Sequence, residues 1–170
     1  LGKAGGHTTH GTVVPAGTSM PFYRPGLLST AILLALAAVR PAAAQIVADP
    51  AAPGNQQPTI LQAPNGVPLV NIQTPSAAGV SRNEYRQFDV QEQGAILNNS
   101  RREAQTQLGG WVQGNPWLAR GEARVILNEV NSSDPSHLRG YVEVAGQRAE
   151  VVIANPAGVQ IDGGGFINAS

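Results

Sequence analysis

The side chains in this sequence that could do chemistry are carboxylates, three histidines and a set of asparagines. Their spacing tells them apart. Glycoside chemistry on an extended β scaffold needs two carboxylates held across a bond, or several gathered on a cation. Asp89, Glu92, Glu129, Asp134, Glu143, Glu150 and Asp162 supply the type, but no motif pairs them. His137 lies in the turn-like stretch Ser133-Asp134-Pro135-Ser136-His137, with no nucleophile elbow around it. It reads as a solvated loop residue. His7 and His10 have a metal-compatible spacing but no further ligands beside them. The chain has no cysteine, so neither a disulfide framework nor a Cys-based zinc site is available. These residues point to no enzyme, no cofactor and no metal.

The asparagines read differently. Asn115-Pro116-Trp117-Leu118 and Asn155-Pro156-Ala157-Gly158-Val159 place the same dipeptide at two points along the chain. Asn at the first corner of a type I turn can accept a hydrogen bond from the backbone two residues on, and Pro at the second presets φ near −65°. A chain that needs the same stiff corner twice turns regularly, which suits a scaffold with a recognition surface better than an active site.

The elements that would carry these corners are short strands. Leu69-Val70-Asn71-Ile72 is the first, and Gln87-Phe88-Asp89-Val90 and Ala95-Ile96-Leu97 flank a Gln-Gly turn. Arg124–Leu127, Tyr141–Val144, Ala149–Ile153, Val159–Ile161 and Phe166-Ile167 follow, β-branched and bounded by Gly, Asn, Pro or Ser. Ala145-Gly146-Gln147 between two alternating runs reads as a hairpin loop. Asn99–Leu108 has helix propensity around Arg101-Arg102-Glu103-Ala104-Gln105, but it is short and followed by Gly109-Gly110, so helix and loop both stand. An aliphatic pair followed by Asn recurs at Ile96-Leu97-Asn98, Ile126-Leu127-Asn128 and Phe166-Ile167-Asn168. That suggests stacked coils with Asn at equivalent corners, against the plainer reading that Asn merely ends strands.

Before the strands come two stretches of another texture. Leu27–Val39 is an apolar run with Arg24 ahead of it and Ala42-Ala43-Ala44 behind, the layout of a cleaved secretory signal. The run is too short to span a bilayer of about 30 Å. Starting at Met20, the only methionine, it gives a signal over 20–44 cut between Ala44 and Gln45, with 1–19 an upstream or non-native extension. Residues 45–67 are rich in Pro, Ala, Gln and Asn and read as an extended lead-in or irregular cap, closed by a turn at Ala63-Pro64-Asn65-Gly66. Residues 68–170 form the strand-rich domain. Net charge is zero overall, yet from Gln45 onward eight Arg face eleven Asp plus Glu. No basic stripe of the kind that reads nucleic acid stands out.

Taken in order, these motifs resemble the N-terminal secretion domain of two-partner-secretion exoproteins, the family of filamentous haemagglutinins, large haemolysins and contact-dependent inhibition toxins. Asn71–Ser81 is similar to the family's opening strand and loop. Phe88-Asp89-Val90 with Gly94–Ser100 matches a second block, and Leu127–Val130 with Gly140-Tyr141 and Val144–Val151 a third. The two Asn-Pro turns stand where the family has Asn-Pro-Asn-Leu and Asn-Pro-Asn-Gly-Ile, with Trp117 and Ala157 replacing the second Asn. Where some relatives carry a Cys pair, this chain has Ile161-Asp162-Gly163-Gly164.

The resemblance implies an all-β fold: a right-handed parallel β-helix with an N-terminal cap and short antiparallel hairpin additions, standing at the front of a longer exoprotein or a truncated one. It implies a secretion-targeting role, with export to the periplasm and recognition by a dedicated outer-membrane β-barrel transporter through that transporter's periplasmic domains. The domain would then nucleate β-helix folding at the surface of a Gram-negative cell. The residues from Asn115 to Leu118 and from Asn155 to Val159 would be turn-formers and transporter-recognition elements, or corners alone. Trp111 and Trp117 would be partner contacts or aromatics packed on a turn. The alternative is a direct adhesin or haemagglutinin module that binds a host or neighbouring-cell surface.

Overall fold

The structure is a computed structural model that describes residues 46–170. The expected signal segment, its cleavage point and His7 and His10 lie outside the described residues. Thirteen strands are present, and no α-helix occurs among the described residues. They are β1 (Ile46–Ala48), β2 (Thr59–Gln62), β3 (Pro68–Asn71), β4 (Val80–Phe88), β5 (Ala95–Asn99), β6 (Ala104–Thr106) and β7 (Gly110–Val112). After these come β8 (Val125–Val130), β9 (Ser136–Leu138), β10 (Tyr141–Gly146), β11 (Glu150–Ala154), β12 (Val159–Ile161) and β13 (Gly165–Ile167).

The strands wind through three sheets in a repeating order, which makes the architecture a parallel β-helix. One sheet stacks β4, β8 and β11 in parallel, and a second stacks β3, β5, β10 and β13. The third pairs β9 with β12 and is extended by a parallel bridge from Val90 to Leu138. Each coil visits them in turn, so β4, Val90 and β5 make one coil, β8 to β10 the next, and β11 to β13 the last. The step from Val80 to its register partner Val125 is nearly twice as long as that from Val125 to Glu150. The difference is an inserted arm, the antiparallel hairpin of β6 and β7 and the turn after it. This insertion is why the recurrences in the sequence are unevenly spaced.

The Pro-rich lead-in contributes two strands that run against their neighbours. β1 pairs antiparallel with β4, and β2 with β3, each at the end of its sheet. The turn at Ala63–Gly66 closes with Gly66 N–H donating to Ala63 O at 2.8 Å, and Gly66 takes a positive φ of 88°. That conformation favours glycine because it has no Cβ to clash.

The interior is closely packed and fills from all three sheets. Val70, Ile72, Tyr85, Phe88, Leu97, Ile126, Val142 and Val144 belong to one buried cluster. Tyr85 and Phe88 meet edge to face, with centroids 4.9 Å apart. The Tyr85 hydroxyl donates to Asn128 Oδ1 at 2.9 Å, and burial pushes the phenol pKa up so that it stays a donor. A second, smaller cluster holds Ile96, Leu69, Ala145 and Val112 of the hairpin. Ala95 and Leu97 thus pack into the main core while Ile96 joins the smaller cluster. β5 is buried at every position, which explains its unbroken apolar start.

Four expectations from the sequence change. His137 is not a solvated loop residue: it lies half-buried in β9, paired with β12, and its N–H donates to Asp89 Oδ1 at 2.8 Å. Ala145-Gly146-Gln147 is not a hairpin loop, because β10 and β11 belong to different sheets and Gly146 turns the corner between them. A Cβ on Gly146 would stand 2.5 Å from Ser100 Cβ and 2.9 Å from Asn99 O, and its φ is 77°. Asn99–Leu108 forms no helix. The segment is below the length at which a helix holds by itself, and Ala104–Thr106 satisfies its backbone by pairing with Gly110–Val112. The Ile-Leu-Asn repeats do not all occupy equivalent corners either: Asn98 in β5 and Asn168 just after β13 belong to one sheet, one residue out of register, but Asn128 lies in β8 on another.

Replacing Tyr85 with Phe keeps the ring and leaves Asn128 Oδ1 without its donor at a fully buried position. Tyr85→Phe is expected to lower unfolding free energy by about 1–3 kcal/mol, measured by urea denaturation with an unchanged m-value.

Candidate functional site

Each Asn-Pro turn begins where the chain must leave one sheet for another. Asn115 follows the hairpin, and its own N–H donates to Ser100 O at 2.7 Å. Pro116–Leu118 is a single 3-10 turn. Proline suits its first position because the N–H it lacks would have no partner in the turn. The Asn115 side chain makes three hydrogen bonds. Oδ1 accepts from Trp117 N–H at 3.0 Å, and Nδ2 donates to Ile72 O at 2.9 Å and Asn98 O at 3.0 Å. One amide therefore caps its own turn and ties the chain leaving β3 to the end of β5. It is 2% exposed, and Leu118 beneath it is fully buried.

Asn155 repeats the arrangement after β11. Its Oδ1 accepts from Ala157 N–H at 2.9 Å, and Nδ2 donates to Asp134 O and Ser136 Oγ, both at 3.0 Å. Gly158 N–H closes the turn on Asn155 O at 2.9 Å, with Gly158 at a φ of 106°. Here the amide reaches back to the loop before β9 and sets the parallel pairing of β12 on it. The environment is more open: Asn155 is half-buried, and Pro156, Ala157, Gly158 and Val159 are exposed.

Trp117 takes a structural position while leaving a face open. Its indole N–H donates to Thr59 Oγ1 of β2 at 3.1 Å, and its carbonyl accepts from Thr74 Oγ1 at 2.7 Å. The first turn is thereby strapped to the N-terminal cap. The ring remains 44% exposed, and Trp111, on β7, is 59% exposed.

Several residues that hold this region together carried little sign of that role in the sequence. Asn98 Nδ2 donates to Asn71 Oδ1 at 2.8 Å on the neighbouring strand. Asn99 reaches Ala123 O and Gln147 O and accepts from Ala123 N–H, tying three consecutive passes of the chain. Glu143 is buried, and its two oxygens accept from Gln107 N–H at 2.7 Å and Leu108 N–H at 2.8 Å. That carboxylate pins the hairpin against the helix, helped by Asn65 Nδ2 on Leu108 O. Other acidic residues are similarly engaged. Asp89 accepts from His137 N–H and from Gln87 Nε2, and Glu129 pairs with Arg82. Only the recurrence of Ile-Leu-Asn hinted at Asn98. Asn71, Asn99 and Glu143 looked like ordinary polar residues of strands and loops.

The difference in burial between the two turns sets their energetic weight. Asn115→Ala strands two buried carbonyls and removes the turn cap, a loss of about 2–4 kcal/mol in unfolding free energy. Asn155→Ala exposes its partners to water and is expected to cost about 1 kcal/mol. Asn115→Asp keeps the cap but puts a carboxylate oxygen against Ile72 O and Asn98 O, and should be at least as damaging as alanine. Urea melts of the three variants beside the parent chain decide the order.

A family model described as the TPS secretion domain matches residues 44–170. The chain is similar to a toxin CdiA of Yersinia pestis, 66% identical over 144 residues, which covers 84% of this chain and 4% of that protein. It is also similar to the tRNA nuclease CdiA-2 of Burkholderia pseudomallei (strain 1026b), 46% identical over 176 residues, covering 97% of this chain and 6% of that protein. The chain thus spans only a small fraction of the length of these relatives. Among solved structures it is similar to a crystal structure of the filamentous hemagglutinin secretion domain. There the TM-score is 0.67 at 38% identity, covering 75% of this chain and 40% of the other. With the family match running through every strand of the β-helix, this chain belongs to the TPS secretion domain family.

Proposed function

We propose that this chain is the secretion-targeting domain of a large exoprotein, recognised by a dedicated outer-membrane β-barrel transporter before it folds. Residues 20–44 act as the export signal to the periplasm, and the family match begins at residue 44, beside the expected cut. At the cell surface the domain folds and nucleates the β-helix behind it. The nuclease and toxin names of the relatives describe those whole proteins, of which this chain matches 4–6%.

The family match over residues 44–170 supports the targeting role, and the burial of Asn115 supports recognition before folding. In the folded domain its amide is spent on Trp117, Ile72 and Asn98 and is 2% exposed. A transporter that reads the Asn115 side chain directly must therefore meet it in the extended chain. Strand addition by the transporter's periplasmic domains suits such a chain, because backbone hydrogen bonds supply affinity without a preformed surface. A partner that binds only the unfolded form competes with folding, so closing the turn would also release the domain. A direct adhesin is the second reading, favoured by the open faces of Trp111 and Trp117.

The test is export from Gram-negative cells with and without the cognate barrel, for the parent and for Asn115→Ala. Barrel-dependent appearance in the medium, reduced several-fold by the substitution, is the expected result. Equal export without the barrel would sink the targeting reading and favour an adhesin that leaves the cell by another route.

A further inference from the structure

Charge is unevenly laid out along this fold. From Ser100 to Arg124, the inserted arm and its turn, four Arg face two carboxylates, Glu103 and Glu122. Across the rest of the described residues, four Arg face nine carboxylates. The insertion is a basic flank on an acidic body, an asymmetry that the net charge conceals.

Two of these arginines frame a cleft of about 250 Å³ beside the first Asn-Pro turn. Arg101 and Arg102 form one wall, and Asn115, Pro116, Leu118 and Ala119 form the other. The walls are packed backbone to backbone, since a Cβ on Gly114 would stand 2.6 Å from Arg101 O. Arg101 is held in place by a hydrogen bond from Nη2 to Ala119 O at 3.2 Å. Among the described residues neither Arg101 nor Arg102 has a carboxylate within salt-bridge distance, and Arg82 alone does. The nearby Glu103 is engaged by Gln113 Nε2 at 3.3 Å. On the far side of the turn Arg124 donates to Ala78 O, in a second hollow shared with Arg120 and Glu122.

A guanidinium braced by a neutral carbonyl, with no carboxylate paired to it, keeps its remaining N–H groups for a partner. Adjacent planar forks of this kind match carboxylates in geometry as well as sign. We propose that the Arg101–Arg102 cleft is a docking site for an acidic extended segment, Asp or Glu side chains of the transporter, engaged once the first turn has closed. This rests on the targeting role proposed above. It adds a second contact, distinct from the reading of the unfolded motif, because the cleft exists only when Asn115 is buried. The acidic remainder of the domain would repel the same segment and so restrict docking to this flank.

The test uses the whole chain and an oligoglutamate peptide, with oligoglutamine as control, followed by NMR. Binding of oligoglutamate alone is expected, with shifts at the Arg101 and Arg102 Nε–H signals and the Ala119 amide. It should weaken at least about tenfold from low to high salt. Arg101→Gln with Arg102→Gln should abolish it with an unchanged circular dichroism spectrum, whereas Arg139→Gln with Arg148→Gln should leave it intact. Equal binding by both double variants, no binding by the parent, or binding to phosphatidylglycerol vesicles but not to oligoglutamate would each overturn the proposal. Export separates it from the reading on which it rests. Barrel-dependent export of the parent with no peptide binding ends the docking site alone, and barrel-independent export ends the targeting role.

Discussion

A parallel β-helix must change direction three times per coil, and every corner interrupts the backbone ladder that keeps its polar groups paired. Buried N–H and C=O groups without partners would cost more than the short strands can supply. This chain meets that constraint with side-chain amides. Asn98, Asn99 and Asn115 each bond to backbone groups on another pass of the chain, and Asn155 repeats the device in the last coil. An amide fits because one end donates twice while the other accepts, so it can cap its own turn and hold a neighbouring coil at once. Aspartate has the acceptor without the donor, and leucine has neither.

The same requirement decided how much of the fold could be read in the sequence. Strands were legible because their β-branched runs end at Gly, Asn and Pro, and the Asn-Pro turns were legible because both residues act locally. What escaped were ties made between coils. Asn71 looks like any strand end until Asn98 is placed beside it, and Glu143 looks like an exposed strand residue until the hairpin lies across it. Gly146 misled because an alternating run, a glycine and a second run describe a hairpin and a β-helix corner equally well. The inserted arm was hidden for a related reason. Its strands are three residues each, and its helix-favouring Arg-Arg-Glu-Ala composition reports propensity, which pairing overrides.

In the folded domain the first Asn-Pro turn is a joint: Trp117 straps it to the cap, Leu118 anchors it in the core and Asn115 closes it. Asn115 and Leu118 are therefore withdrawn from the surface, while Pro116 and Trp117 stay exposed. Trp117 illustrates what that allows. The cap is made by Asn115 and the Trp117 backbone, so it does not use the side chain at position 117. The indole adds a contact of its own to Thr59.

Stacking in register also governs how such a molecule can grow. Each strand of the β-helix pairs with the strand one coil earlier, so the loop closed by each new coil is a single coil, with any arm inserted in it, however many precede it. Loop-closure entropy rises with the logarithm of loop length, and folding rates fall as contacts become more distant in sequence. In a structure built this way, neither penalty accumulates with size. A chain delivered from its N-terminus onward would meet its pairing surface already formed, coil after coil, at an entropic cost set by each coil alone.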